Sequence, residues 1–220
     1  MKVGVILRKY LHVFILGGLV LILAACGQNK EVIEEVDERL KDIVNLENKI
    51  DELRFDVSDY LEEEQFIFNE MMDEGDKLEQ DHILSYKEEV DHIIERSDEK
   101  LANMDDLLAD RADQVKAIDP LTDDIKDEAM SEQLLKVIQV FDESGSVLAD
   151  LHGHYADVLK TTADLYLVFE NEGLFADDVY EIVDRVNEQY DLISADEEKI
   201  VQIVNEINEE QNTLYELFNQ

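Results

Sequence analysis

The chain has 220 residues and is strongly acidic: 56 aspartates and glutamates stand against 19 lysines and arginines, which gives a formal charge of −37. A field of this sign repels nucleic acid and anionic lipid surfaces, so we expect neither as a partner. The single cysteine excludes an internal disulfide and a thiolate metal cluster.

The first predicted element is a lipoprotein signal peptide over residues 1–25. A short basic head precedes an apolar run from Leu11 to Ala25, which is typical of secretory signals. About fifteen apolar residues fall short of the ~20 that cross a bilayer as a helix, so an uncleaved membrane anchor is the minor alternative.

The end of the apolar run, from Leu23 to Gly27, reads LAACG and resembles a bacterial lipobox. We predict cleavage between Ala25 and Cys26 and a diacylglycerol on the Cys26 sulfur, with residues 26–30 as a lipidated tether. Two acyl chains suffice for stable attachment to a lipid bilayer. The alternative is a lone cysteine in a signal that is cleaved elsewhere. Removal of the signal, which has three basic residues and no acidic one, takes the formal charge from −37 to −40.

The rest of the chain, residues 31–220, is predicted to form a helical domain of four long segments. Apolar residues recur in each segment at spacings of three, four and seven, which is the pattern of coiled-coil-like helices. The first segment, about 30–73, ends at Gly75, because glycine adopts the left-handed conformation of a helix end. The second, about 78–117, ends before Pro120.

The third segment begins with an N-cap at Thr122 and runs to about Gly173. Gly145 lies inside its pattern, which leaves open either a kink or a close approach of another helix. The fourth segment, about 177–218, has six apolar residues at an unbroken spacing of seven: Val179, Val186, Ile193, Ile200, Ile207 and Leu214. Because short links make neighbouring helices antiparallel, we predict an all-α fold. It is an elongated antiparallel up-and-down bundle of about four long coiled-coil-like helices.

No motif in the chain points to catalysis or to a dedicated metal site. Nucleophile elbows, phosphate-binding glycine loops, nucleotide fingerprints and EF-hand loops are all missing from the sequence. His152 and His154 are two residues apart and point to different faces of a helix unless the chain breaks at Gly153. We expect no enzyme, no catalytic residue, no metal site and no cofactor beyond the lipid on Cys26. Divalent cations are expected to bind weakly and non-specifically over the acidic surface.

One polar face of the fourth segment is the candidate binding surface. Asn205, Asn208 and Asn212 lie at spacings of three and four, on one side of the predicted helix. Such a ladder suits recognition of a polar ligand such as a glycan. The alternative is a polar strip that fixes the register of the helices.

The lipobox is followed by three short strings, Glu63 to Phe68, Leu165-Tyr166 and Val186 to Tyr190, and by an end that contains Asn212, Tyr215 and Phe218. Together they resemble the YkyA-type family of cell-wall-binding lipoproteins from Gram-positive bacteria, over nearly the whole chain. The resemblance implies an elongated helical bundle on the outer face of the membrane, a lipid anchor at Cys26 and no catalytic residue. The chain is more acidic than expected of that family, so contact with the wall would need bridging Mg²⁺ or Ca²⁺, or polar recognition of peptidoglycan.

We therefore expect a lipid-anchored protein on the extracytoplasmic face of the cell membrane, where it is a structural or binding module of the envelope. Its expected partners are the lipid bilayer, through Cys26, and peptidoglycan or another part of the cell wall. The alternative is a partner-binding or chaperone-like lipoprotein that engages another envelope protein through its helical surface.

Overall fold

The computed structural model describes residues 30–75, 78–172 and 177–219, and every regular element in this part of the chain is helical. The four long helices are α1 (Lys30–Glu74), α2 (Gln80–Ile118), α3 (Glu128–Glu172) and α4 (Asp177–Phe218). The prediction of an all-α fold with four long helices is confirmed. In the described ranges, no helix has the length and apolar character needed to cross a membrane.

Two helices end at the backbone signals that the sequence contains. After α1, Gly75 has a φ of 51°, a left-handed conformation that favours glycine, and its carbonyl accepts a hydrogen bond from the N–H of Leu78 at 3.1 Å. α2 ends at Ile118, and Pro120 lies in the 3₁₀ helix that follows. Gly173, the predicted end of the third helix, lies outside the described residues.

α3 begins later than predicted, and the N-cap predicted at Thr122 is wrong. Asp119–Asp124 forms a 3₁₀ helix in which the Thr122 hydroxyl donates backward to the carbonyl of Asp119 at 2.7 Å. The cap is Asp127, whose Oδ1 accepts a hydrogen bond from the backbone N–H of Met130 at 3.0 Å. The tight turn that contains proline therefore delays the helix.

α3 runs through Gly145 without a break, so the kink that the sequence left open does not occur. A close approach explains the glycine, but the approaching group is a side chain of α2. A Cβ atom on Gly145 would lie 2.6 Å from Nη1 of Arg111, which is itself buried. The missing side chain of Gly145 therefore leaves room for a buried guanidinium.

The described helices pack into two compact units, and each unit contains segments of all four helices. Unit 1 comprises Glu52–Met104 and Asp150–Asp196. Unit 2 comprises residues 30–51, Asp105–Ala149 and the described residues from 197 onward.

Contacts between consecutive helices show that they are antiparallel. In unit 1, Arg96 of α2 donates to Glu63 of α1 at 2.8 Å, whereas the later Lys100 donates to the earlier Asp56 at 2.7 Å. The bonds between α3 and α4 in the same unit follow the same order: Thr161 with Gln189, and His154 with Asp196. The up-and-down order predicted for neighbouring helices is therefore confirmed.

The buried faces follow the seven-residue repeats, whose positions we call seam positions. In α4, five of the six apolar residues predicted at a spacing of seven are buried, and Val186 is half-buried. A second repeat on α4 has apolar residues at Ile182, Ile203 and Leu217 and polar ones at Gln189, Asp196 and Glu210. Each of these three polar side chains hydrogen-bonds with a side chain of α3. At these three seam positions of α4, polar side chains therefore form hydrogen bonds between helices.

Aromatic side chains fill the core of unit 1. Tyr166 and Phe169 of α3 meet edge to face with ring centroids 5.5 Å apart, and Phe68 of α1 lies 6.3 Å from Phe169. Buried aliphatic residues surround them: Ile67, Met71, Ile83, Val90, Ile93, Leu165, Val179 and Ile182. This packing holds α1, α3 and α4 beside one another where the candidate site lies.

Candidate functional site

Some of the predicted site residues lie outside the described residues, and the others differ in how exposed they are. Ala25 and Cys26 lie outside the described residues, so cleavage and the lipid anchor stay predictions. Asn205 and Asn212 are exposed and Asn208 is half-buried, all on the part of α4 that belongs to unit 2. The Asn205 amide donates to the carbonyl of Val201 on its own helix at 2.8 Å.

The two neighbouring histidines of α3 contact different partners, as their spacing predicts. Nε2 of His152 lies 3.1 Å from the carbonyl oxygen of Leu101, and Nδ1 of His154 lies 2.7 Å from Oδ2 of Asp196. Across the described ranges, no three histidine, cysteine or acidic side chains are grouped so that they could hold a metal ion.

The candidate site is a narrow cleft in unit 1 where α1 faces α4. Four side chains of α1 and four of α4 line it, and Leu165 of α3 completes the lining. The residues from α1 and α4 are Glu64, Gln65, Phe68, Asn69, Val183, Val186, Asn187 and Tyr190. Spacings of one, three and four bring each set onto one face of its helix, so the cleft is a direct product of helical periodicity.

The cleft is small and has both polar and apolar walls. Its volume open to water is about 40 Å³, which is room for about three water molecules. Phe68, Leu165, Val183 and Val186 provide the apolar wall, while a carboxyl, three amides and a phenol provide hydrogen-bonding groups. A few placed polar groups on a mostly apolar surface are typical of small-molecule sites.

Glu64 is the most unusual residue of the cleft. Its side chain is buried, and this burial raises the pKa of its carboxyl from 4.5 to about 7. The nearby Tyr166 phenol lowers that pKa in part through hydrogen bonding, although the contact is looser than a well-formed hydrogen bond. Near neutral pH the carboxyl is therefore about half protonated, so it can donate as well as accept.

Two buried tyrosine hydroxyls lie beside Glu64 without well-formed hydrogen bonds. They belong to Tyr166 of α3 and Tyr190 of α4, and burial followed by the charge of Glu64 raises both of their pKa values. Gln65 partly offsets the shift of the Tyr190 pKa by hydrogen bonding. Buried polar atoms that lack good partners are uncommon in native proteins, and a bound water or ligand is a usual explanation.

This site was missed at the sequence level, although two signals were present. The seven-residue repeat of α1 continues as Val57, Glu64 and Met71, so a carboxyl stands at an apolar seam position. In addition, the strings EEQFIF, LY and VNEQY, which support the family resemblance, all contribute to this one place. The sequence alone did not show that these strings meet.

The comparisons with known proteins agree with the resemblance. The YkyA family model, described as "Putative cell-wall binding lipoprotein", matches residues 31–217, which cover most of the chain and the whole cleft. No curated protein and no solved structure matches the chain.

Proposed function

The chain belongs to the YkyA family, and on this premise we propose that it is a lipid-anchored binding protein of the cell envelope that attaches to the cell wall. Cys26 carries the diacylglycerol after cleavage behind Ala25, and the helices lie on the extracytoplasmic side of the cell membrane. The description of the family supports the wall as the target. The position of the single cysteine at the end of an apolar run supports the anchor.

The observation that carries the binding role is the cleft of unit 1, with its buried Glu64 carboxyl and the Tyr190 hydroxyl, which lacks a well-formed hydrogen bond. The proposed role is binding rather than catalysis. Hydrolysis of a glycosidic bond normally uses two carboxyl groups about 5–10 Å apart. Of the side chains that line this cleft, only Glu64 is a carboxylic acid.

Two measurements test the proposal. The intact mass of the membrane-bound protein should show loss of residues 1–25 and a diacylglycerol on Cys26, and Cys26→Ala should release the protein from membranes. The mature protein should be retained on purified peptidoglycan sacculi. Retention that persists in a chelator supports direct recognition, whereas retention that the chelator abolishes would assign it to bridging divalent cations. If the protein is not retained on sacculi with or without the chelator, wall binding is refuted.

A helical protein partner is the second candidate. Phe66 and Tyr180, both in unit 1, expose 62 % and 68 % of their surface. Large exposed aromatic residues are common anchors of protein interfaces. Stoichiometric co-purification with a membrane protein that Phe66→Ser abolishes, together with no retention on sacculi, would favour this candidate over wall binding.

A further inference from the structure

The cleft in unit 1 combines hydrogen-bonding groups that lack good partners with a size that suits only part of a larger ligand. The hydroxyl of Tyr190 lines the cleft and is buried without a well-formed hydrogen bond, and the buried carboxyl of Glu64 lies beside it. A buried polar group without a hydrogen-bond partner lowers the stability of the folded protein. A ligand that forms the missing hydrogen bonds would remove this penalty, and the energy gained would contribute to its binding.

The volume decides how much of a ligand can enter. About 40 Å³ open to water corresponds to about three water molecules. A substituent of four heavy atoms, such as an acetamido group, is comparable in size with this space, and the cleft is open to solvent, so a sugar ring could remain at its mouth. The rest of the ligand would remain outside, next to the exposed Asn69.

The walls match the three parts of an acetamido group. Its methyl needs an apolar contact, which Phe68, Leu165 and Val183 provide. Its carbonyl oxygen needs a donor and its N–H needs an acceptor, and the side chains of Asn187 and Tyr190 can supply both. The match is chemical as well as steric, because the apolar wall suits the methyl and the neutral side chains of Asn187 and Tyr190 suit a neutral amide.

The charge of the protein disfavours anionic ligands. The acidic chain repels anionic ligands, so a phosphate or carboxylate would enter against the field of the protein. A neutral amide avoids this repulsion, and its carbonyl can also accept a hydrogen bond from Glu64 when that carboxyl is protonated. An amine is the remaining competitor, because an ammonium could pair with ionised Glu64.

We infer that the cleft between α1 and α4 of unit 1 binds the acetamido group of an N-acetylated amino sugar, with Glu64, Asn187 and Tyr190 in contact with it. This inference rests on the proposed function, since such sugars must be presented by the wall. It differs from the sequence-level hypothesis, which placed polar recognition on the face of Asn205, Asn208 and Asn212.

The test uses the mature lipidated protein in detergent micelles and three disaccharides. N,N′-diacetylchitobiose is the probe, its deacetylated form tests the amine, and cellobiose tests the ring without nitrogen. Saturation-transfer NMR should show the acetyl methyl of the probe as its most strongly saturated group, and cellobiose should show no transfer. Equal transfer to the probe and cellobiose would overturn the inference, as would preferred binding of the deacetylated form.

Matched variants locate the site. Tyr190→Phe and Asn187→Ala should each weaken binding of the probe about tenfold, since each removes about one hydrogen bond to the ligand. The controls Tyr180→Phe and Asn205→Ala make the same chemical changes at exposed positions of the same helix and should leave the affinity unchanged. Weakening by Asn205→Ala but not by Asn187→Ala would overturn the inference in favour of the asparagine face.

The outcome on sacculi separates this inference from the proposed function. Retention of the original protein together with equal retention of Tyr190→Phe and Asn187→Ala would leave wall binding intact and remove the cleft as its site. Failure of the original protein to bind sacculi would refute the proposed function itself. Loss of retention in both cleft variants, with folded circular dichroism spectra and normal controls, is the result that we expect.

Discussion

Glu47 and Glu64 are two glutamates on the same helix, and each exposes only 4 % of its surface. They differ in whether a positively charged side chain lies beside the carboxyl. In unit 2, Glu47 accepts hydrogen bonds from Nε and Nη2 of Arg111 at 2.8 and 2.6 Å and from the Ser144 hydroxyl at 3.4 Å. In unit 1, Glu64 faces the phenol of Tyr166 and the cleft, and among the described residues no cation contributes to its pKa shift.

The difference distinguishes a structural polar cluster from a candidate site. Arg111 also donates to the carbonyl of Phe141 at 2.7 Å and occupies the space beside Gly145, so Arg111 and Glu47 form a packed ion pair, although Oε2 of Glu47 has no hydrogen-bond partner. Such a cluster fixes how helices fit together. Burial raises the pKa of both carboxyls, but the charge and hydrogen bonds of Arg111 oppose the rise for Glu47, whereas none of the described cations opposes it for Glu64. A buried carboxyl that lines a cleft without a paired cation is a candidate for a functional site.

The largest expected effect is on the paired cluster. Arg111→Met should lower the free energy of unfolding by about 3–5 kcal/mol, because it leaves the carboxylate of Glu47 buried without its partner. Urea unfolding followed by circular dichroism measures this change. The double variant Arg111→Met with Glu47→Leu should recover most of the loss. A single variant as stable as the original protein would show that the pair does not hold unit 2 together.

The second prediction concerns pH and the carboxyl of Glu64. Because its pKa is raised from 4.5 to about 7 on folding, the folded state binds more protons than the unfolded state between these values. The free energy of unfolding should therefore fall as pH rises from 4.5 to 7, by about 3 kcal/mol from this group, and then stay level.

The variant Glu64→Gln isolates that contribution, since all other titrating groups are common to both proteins. Its unfolding free energy should lack the fall, so the difference between the two proteins should change across this pH window. A constant difference from pH 4.5 to 8 would show that Glu64 titrates normally.

The third prediction compares two glycines of α3. Gly145→Ala should destabilise the protein by about 1–3 kcal/mol, because the new Cβ would meet a guanidinium that its hydrogen bonds hold in place. Gly153→Ala should stabilise it by about 1 kcal/mol, because nothing lies within 4 Å and alanine favours the helix. Thermal unfolding of both variants checks the prediction, which fails if both changes have the same sign.

The smallest expected effect is on a hydroxyl of the cleft. Tyr190→Phe should raise the free energy of unfolding slightly, by about 0.5 kcal/mol, because it removes a buried hydroxyl that has no well-formed hydrogen bond to lose. Urea unfolding in the absence of ligand gives the value. A loss above 1 kcal/mol would mean that this hydroxyl is a structural partner, like the donors around Glu47.

Much of the fold could be predicted because apolar residues recur at regular spacings along the sequence of a long packed helix. The repeat from Val179 to Leu214 predicts one continuous helix, and α4 spans Asp177–Phe218. The start of α3 could not be predicted in the same way, because Thr122 and Asp127 are both good capping residues. The choice between them depends on a local 3₁₀ turn.

The candidate site was less predictable, because it depends on which helices meet. A polar residue at a seam position looks the same in sequence whether it is paired, as Arg111 is, or faces a cleft, as Glu64 does. The periodic pattern reports burial but not the partner across the interface. The Asn205 ladder, in contrast, was conspicuous in sequence and lies on a largely exposed face.

The most direct test of this contrast is a titration of the glutamate side-chain carboxyl carbons by ¹³C NMR, with Glu47→Gln and Glu64→Gln used for assignment. Glu64 should titrate with a pKa near 7. Addition of N,N′-diacetylchitobiose should shift the Glu64 resonance and leave that of Glu47 in place. A Glu64 that titrates near 4.5 and does not respond to the disaccharide would contradict the assignment of the cleft as the binding site.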